Sequence, residues 1–227
     1  MKKFEQELAA LQTRLVAMWA LTESMLALAT AALAKQESDP SEEVLQREDQ
    51  LDRMQVEIDH DAVRLLTVYS PVATDLRFVL SVSHVNMALE RIGDQAVNLC
   101  EDLQLMFAKS DVPPLPKLLQ MAKLVNGIVH DALSAYLARD VDKAQETIKH
   151  DDRVDALNEE IVRELLSDEF VREVLSGSQD MGGAMAQILI ARSLERIADQ
   201  ANNICEQAVY AVKGDDIRHT RESATTG

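Results

Sequence analysis

Residues 89–101 read LERIGDQAVNLCE, and residues 194–206 read LERIADQANNICE. Ten of these thirteen positions are identical, and the copies stand 105 residues apart in a chain of 227. A repeat spaced at about half the length constrains the fold to two copies of one supersecondary unit. Packing accounts for the repeated Leu, Ile and Ala. It gives less reason to keep Glu90, Asp94, Asn98 and Glu101, which return as Glu195, Asp199, Asn203 and Glu206.

The unit is helical. Seven Gly, five Pro and 4% aromatic residues, beside abundant Ala, Leu, Glu and Gln, favour helix throughout. Residues 4–35 carry apolar side chains at helical spacing and predict one long helix. Asp39-Pro40-Ser41-Glu42 reads as a capped start of a second helix, with Glu42 closing a capping box, that ends near Tyr69. Ser70-Pro71 reads as the start of a third, reaching about Lys109. The run SDVPPLP, residues 110–116, cannot continue a helix and predicts an extended linker. A fourth helix is expected to about Arg139. Asp140 caps a fifth that reaches Leu166 or beyond, and residues 176–183 form a turn-rich loop. The sixth runs to Lys213 and stops at Gly214.

The expected fold class is therefore all-α, with two tandem similar three-helix bundles built from six long helices. The bundles occupy residues 1–110 and 117–214, joined by a proline linker at 111–116 and followed by a polar tail at 215–227. The middle helices match too: Asp49, Asp52, Glu57 and Ile58 correspond to Asp152, Asp155, Glu160 and Ile161.

On a helical wheel Glu90, Asp94, Asn98 and Glu101 form a stripe opposite Leu89, Ile92, Ala96, Leu99 and Leu103. Glu195, Asp199, Asn203 and Glu206 repeat it. The middle helices add the i, i+4 pairs Glu48 with Asp52 and Asp151 with Asp155. Two readings stand side by side. One is a solvated acidic face, in a chain acidic enough to produce such pairs by chance. The other is a cation site, since stacked like charges at i, i+4 carry a cost that a metal removes. Carboxylate and amide oxygens suit Mg²⁺, Mn²⁺, Ca²⁺ or oxygen-bridged iron rather than structural zinc. Glu57 and His60 make a single Glu-x-x-His pair, short of the two that a di-iron centre requires. His84, His130 and His150 lie singly and read as ordinary helix residues.

A net charge of −16 argues against nucleic acid and anionic lipid as partners and favours cations or basic protein surfaces. No phosphate-binding glycine loop, nucleophile elbow or Cys-x-x-Cys occurs, so an enzyme is not expected. Cys100 and Cys205 share one repeat position and read as reduced, partly buried thiols. MKKFEQEL has no signal-peptide apolar region, and the weakly polar stretch Ser24–Ala34 is too short to span a bilayer. A soluble, cytoplasmic protein without membrane insertion is the expectation.

The two motifs LERIGDQAVNLCE and ARSLERIADQANNICE, the preceding SPVATDLRFVLSV and the ending YAVKGDDIRH closely resemble the PhoU family. The resemblance runs from the first helix to about His219. It implies two similar three-helix bundles with acid-x-x-x-Asp motifs on two helices of each. Position by position these are Glu48 with Asp52, Glu90 with Asp94, Asp151 with Asp155 and Glu195 with Asp199, extended by Asn98, Glu101, Asn203 and Glu206. In some members such motifs hold metal clusters, which here implies Fe, Mn, Mg or Zn. The resemblance also implies negative regulation of phosphate uptake and of phosphate-starvation signalling. The expected partners are a PstB-type transporter ATPase and a PhoR-type sensor kinase, and the expected assembly is a homodimer. Only the first half carries PVATDLR; the second has GGAMAQIL in its place. Asp75 and Arg77 are therefore read as a structural salt bridge near a helix start, or as a contact with a partner.

Overall fold

The computed structural model describes residues 2–37, 41–107, 113–176 and 180–217, and among them every regular element is a helix. There are eight: α1 (Lys2–Lys35), α2 (Ser41–Tyr69), α3 (Ala73–Phe107), α4 (Pro116–Ala138), α5 (Val141–Ile148), α6 (Asp151–Leu165), α7 (Asp168–Leu175) and α8 (Met181–Lys213).

Helix α1 buries Leu11, Leu15, Met18, Thr22, Met25 and Ala29, the alternating four-and-three spacing of a single stripe. Helix α2 buries Val44, Leu51, Ile58 and Leu65 at seven-residue intervals, so one narrow seam faces its neighbours. Both pack on α3 and on each other. Helices α4, α5, α6 and α8 make the corresponding bundle of the second half, with α5 and α6 together in the place of α2. The most extensive contact joins the halves: α3 lies along α8, while α1 touches α4. The buried apolar residues consequently form one continuous core through both repeats. Polar bonds cross the same junction. Asn126 Nδ2 donates to Thr30 Oγ1 at 2.9 Å, and Tyr136 lies 2.8 Å from Ser81 Oγ with its ring stacked on Phe78.

Six long helices were expected, and the differences have local causes. The expected fifth helix is two. Asp140 does cap α5, accepting from Lys143 N–H at 2.9 Å. The chain then tightens, with Lys149 N–H bonding Glu146 and His150 N–H bonding Thr147. Asp151 and Asp152 begin α6, where negative charge suits a new N-terminus. Helix α7 was not expected. Ser167 caps it, accepting from Phe170 N–H at 3.2 Å, with Asp168 and Glu169 in its first turn. Asp180 likewise caps α8 through Gly183 N–H at 2.7 Å.

Ser70-Pro71 does not start α3, which begins at Ala73; Ser70 and Ala73 both take left-handed conformations, with φ of 46° and 50°. Gly214 stops α8 as expected, at φ 80°, its N–H bonding Tyr210 O at 2.9 Å. The Asp39-Pro40 cap, the linker residues 110–112 and the tail from 218 lie outside the described residues. Of the linker, Pro116 opens α4, and Leu115 N–H is held by buried Gln187 Oε1 at 2.8 Å.

Helix α1 is long and apolar enough to cross a membrane, which the shorter stretch Ser24–Ala34 did not indicate. Its apolar stripe is instead occupied by protein, since Leu11, Met18, Met25 and Leu33 are fully buried.

Candidate functional site

The duplicated acids converge where the middle and last helices of each repeat meet. In the first repeat, Leu51 fixes the rotation of α2 by packing into the bundle over Gly93 of α3. A Cβ at Gly93 would collide with Leu51 Cδ2 and approach Met25 Cε at 3.5 Å. That close approach sets Glu48 and Asp52, on either side of Leu51, beside Glu90 and Asp94, on either side of Gly93. The second repeat has Val154 for Leu51 and Ala198 for Gly93, so one helix yields the bulk that the other gains. There Asp151 and Asp155 stand beside Glu195 and Asp199.

The electrostatics record this gathering. The Glu48 carboxyl is held above its ordinary range by burial first, then by the charges of Asp52, Asp94, Asp49 and Glu101. Glu90 is raised by burial, then by Asp94 and Asp52, with Arg91 opposing. Asp94 is raised by burial and Asp52, again against Arg91. In the other seam, Glu195 is raised by burial and Asp155, with Arg192 and Arg196 opposing. Asp199 is pushed up to about 6 by burial, Asp151, Glu195 and Asp155. Its edge reaches solvent, but the packed helices strip away part of its hydration.

The acids are thus only in part the outward-facing stripe that the wheel placed: Asp52, Asp155 and Asp199 are exposed. Glu48, Glu90, Asp94, Asp151 and Glu195 are half-buried. Helix α3 is surrounded by α1, α2 and α8, so the side opposite its apolar stripe abuts α2 rather than water. Asn98 is half-buried and Glu101 exposed at the end of the first seam. Asn203 is exposed and bonds Gln200 Oε1 at 3.3 Å. Glu206 instead borders a small cavity of about 170 Å³ with Leu80, His84, Gln207 and Tyr210.

Two participants escaped sequence reasoning. Asn158 Nδ2 donates to Glu195 Oε2 at 2.6 Å and holds that carboxylate from α6. Its place three residues after Asp155 in the matched middle helix was the available signal. Asp102, next to Glu101, is pushed up to about 6 by burial and by the Glu101 charge. Nothing in a helical wheel distinguishes it.

The donor set is all carboxylate and amide oxygen, the chemistry of hard cations. Among the described residues, however, no three carboxylates, imidazoles or thiols converge into ligating geometry with the side chains as they stand. The seams bring the charges together without arranging them around a point.

The expected salt bridge between Asp75 and Arg77 does not form. Residues two apart point to different sides of a helix. Asp75 is exposed, while Arg77 Nη2 donates to Thr74 Oγ1 at 3.3 Å. The Arg77 guanidinium lies against Gly214, where a Cβ would meet Nε at 3.4 Å, placing a cation at the negative end of α8. His130 is more than an ordinary helix residue: its Nδ1 stands 2.9 Å from Glu23 Oε1 of α1, and its ring centroid 6.2 Å from that of Trp19. Glu57 Oε2 accepts from Arg14 Nη1 at 3.0 Å. Cys100 and Cys205 are fully buried rather than partly so, and burial pushes the Cys205 thiol up to about 12.

Comparison with known proteins decides the family. The PhoU domain model matches twice, at residues 15–103 and 118–208. The chain belongs to the PhoU family. It is 33% identical to the phosphate-specific transport system accessory protein PhoU of Escherichia coli K12, over 96% of this chain and 88% of that protein. It is 31% identical to the homologue from Clostridium acetobutylicum, over 95% and 97% respectively. Among solved structures, PhoU from Pseudomonas aeruginosa superposes with a TM-score of 0.86 at 31% identity, covering 93% of this chain and all of that one. The phosphate transport system regulatory protein PhoU from Streptococcus pneumoniae gives 0.83 at 25% identity, covering 94% and 98%. The duplicated fold and the role in phosphate transport regulation follow from these relatives. The family is one of accessory regulators rather than of known enzymes.

Proposed function

We propose that this protein is a cytoplasmic negative regulator of phosphate uptake and of phosphate-starvation gene expression, acting by contact with other proteins. A PstB-type transporter ATPase and a PhoR-type sensor kinase are the partners, and the working form is a homodimer. The observation that supports this most is coverage: relatives named as phosphate-specific transport accessory proteins align along nearly the whole chain, through both repeats. A strongly acidic helical surface is also suited to basic partner surfaces. The test is deletion of the gene with a reporter of phosphate-starvation genes in high phosphate. Derepression supports the reading, and a silent reporter overturns it. Co-purification with the ATPase and the kinase tests the partners, and light scattering of the purified chain tests the dimer.

A second reading rests on the seams themselves. Two sets of neighbouring carboxylates, in which Glu48, Glu90, Asp94, Glu195 and Asp199 are raised above their ordinary range, are poised to gain from a cation. Metal binding by Glu48, Asp52, Glu90 and Asp94, and by Asp151, Asp155, Glu195 and Asp199, requires their side chains to swing inward from positions that the helices hold. Elemental analysis of protein purified without chelator tests it. Stoichiometric iron, manganese, magnesium or zinc supports metal binding. Substoichiometric metal, with no thermal shift on adding these ions, leaves the seams as an acidic face.

A further inference from the structure

Although the net charge is −16, many basic side chains among the described residues make no ion pair with a carboxylate. Three of them line one pocket. Lys123 of α4, His150 at the α5–α6 junction and Arg153 of α6 surround a cavity of about 390 Å³, together with Gln120, Gly127 and Asp131. Asp151 and Asp152 neighbour His150 and Arg153 in sequence, and two further acidic groups are engaged elsewhere. Asp131 Oδ1 pairs with Lys143 Nζ at 2.8 Å, and Glu146, whose charge His150 feels, is held by Lys149 at 2.6 Å. Among the described residues no side-chain hydrogen bond or ion pair engages Lys123, His150 or Arg153, although the His150 and Arg153 backbones bond within the helix junction.

Gly127 is an independent sign. It lies inside α4, where glycine costs about 1 kcal/mol relative to alanine. Packing does not demand it, because a Cβ there would meet nothing within 4 Å. It is exposed and lines the same pocket as Lys123, His150 and Arg153, which are themselves exposed.

We propose that this pocket binds a small phosphate-type oxyanion, with Lys123 and Arg153 donating to its oxygens, His150 beside them, and Gly127 providing the space. Tetrahedral oxyanions are matched by lysine as a point charge and by arginine through its planar fork. The cavity is larger than one such ion, so the anion is either free or the phosphoryl group of a small phosphomonoester. This site is separate from the carboxylate seams and does not depend on the regulatory reading.

The experiment is calorimetric titration of the full chain at constant ionic strength, with inorganic phosphate in one arm and ribose 5-phosphate in the other. Saturable binding in either arm is expected, and the tighter arm identifies the source. Lys123→Gln with Arg153→Gln should weaken it more than tenfold, since two charge-assisted hydrogen bonds are lost. Gly127→Leu should also abolish binding, by filling the space; leucine favours helix, so the fold is not at stake. Absence of saturable binding in both arms overturns the proposal, as does unchanged affinity in the Gly127→Leu variant. Because the readout is binding by purified protein, its failure and that of the gene-deletion reporter are separate results.

Discussion

Asp199→Asn should make the metal-free protein more stable at neutral pH, although it removes a residue of the repeated motif. The Asp199 carboxyl is raised from 3.8 to about 6 by burial and by Asp151, Glu195 and Asp155. Its charged form therefore opposes folding. Below pH 3.8 the group is neutral in both folded and unfolded chains and the substitution changes nothing. As pH rises toward 6 the unfolded chain ionises first, and the wild type loses stability relative to the variant. Above about pH 6.5 the difference is complete. At 1.36 kcal/mol per pKa unit its ceiling is about 3 kcal/mol. Because Asp199 reaches solvent, screening reduces this to about 1 kcal/mol.

Urea unfolding followed by circular dichroism, in chelator-treated buffer at pH 7.5 and pH 4, measures it. A gain of about 1 kcal/mol at pH 7.5, corresponding to roughly 2–4 °C in Tm, should fall to less than half of that at pH 4, where the unfolded Asp is already partly ionised. A loss of stability at pH 7.5, or a gain independent of pH, would refute the account of the seam as mutually repelling carboxylates. If the seam also takes metal, the order reverses with the ion present. The wild type would gain about 2.7 kcal/mol at a hundredfold excess over Kd, and the variant much less.

Replacing Glu90, Asp94, Glu195 and Asp199 together by Ala should remove any bound metal while leaving helix content intact, checked by elemental analysis and circular dichroism. Gly93→Ala should destabilise by about 1–2 kcal/mol, because the new Cβ collides with Leu51. Adding Leu51→Val reproduces the pairing of Val154 with Ala198, and a double-mutant cycle in urea should show recovery of most of that loss. Tyr136→Phe should cost about 1 kcal/mol in the same assay. Ser81 Oγ already donates to Phe78 O at 2.8 Å, so it is the Tyr136 hydroxyl that donates across the junction, and only that bond is lost.

The helices and their duplication were legible because both are written in short-range periodicity. The seven-residue spacing of Val44, Leu51, Ile58 and Leu65 and the cap at Asp140 need no knowledge of what lies across the core. The cap of α7 was legible too, in Ser167 followed by Asp168 and Glu169, but a short helix with no buried residue carries little apolar pattern to draw attention to it. The break at Lys149–His150 was hidden for the opposite reason. It interrupts hydrogen bonding without interrupting the apolar spacing, since Ala144 and Thr147 before it and Val154 after it are all buried.

The acids show most clearly where one-dimensional reasoning stops. A wheel assigns each helix one inside and one outside, which holds for α2. It holds only in part for α3 and α8, which pack against each other and against their own bundles at once and half-bury Glu90, Asp94 and Glu195. On such a helix the polar side is a boundary with a neighbour. Its carboxylates are therefore crowded by two helices, and their raised protonation is a property of the seam rather than of the motif. The exchange of Leu51 and Gly93 for Val154 and Ala198 carries the same lesson in packing. Neither substitution is intelligible on its own helix, yet together they keep Asp52 beside Asp94 and Asp155 beside Asp199 in both repeats. A spacing kept by compensating changes in the core is set by how closely the two helices approach, and the acids of the seam take their positions from that approach.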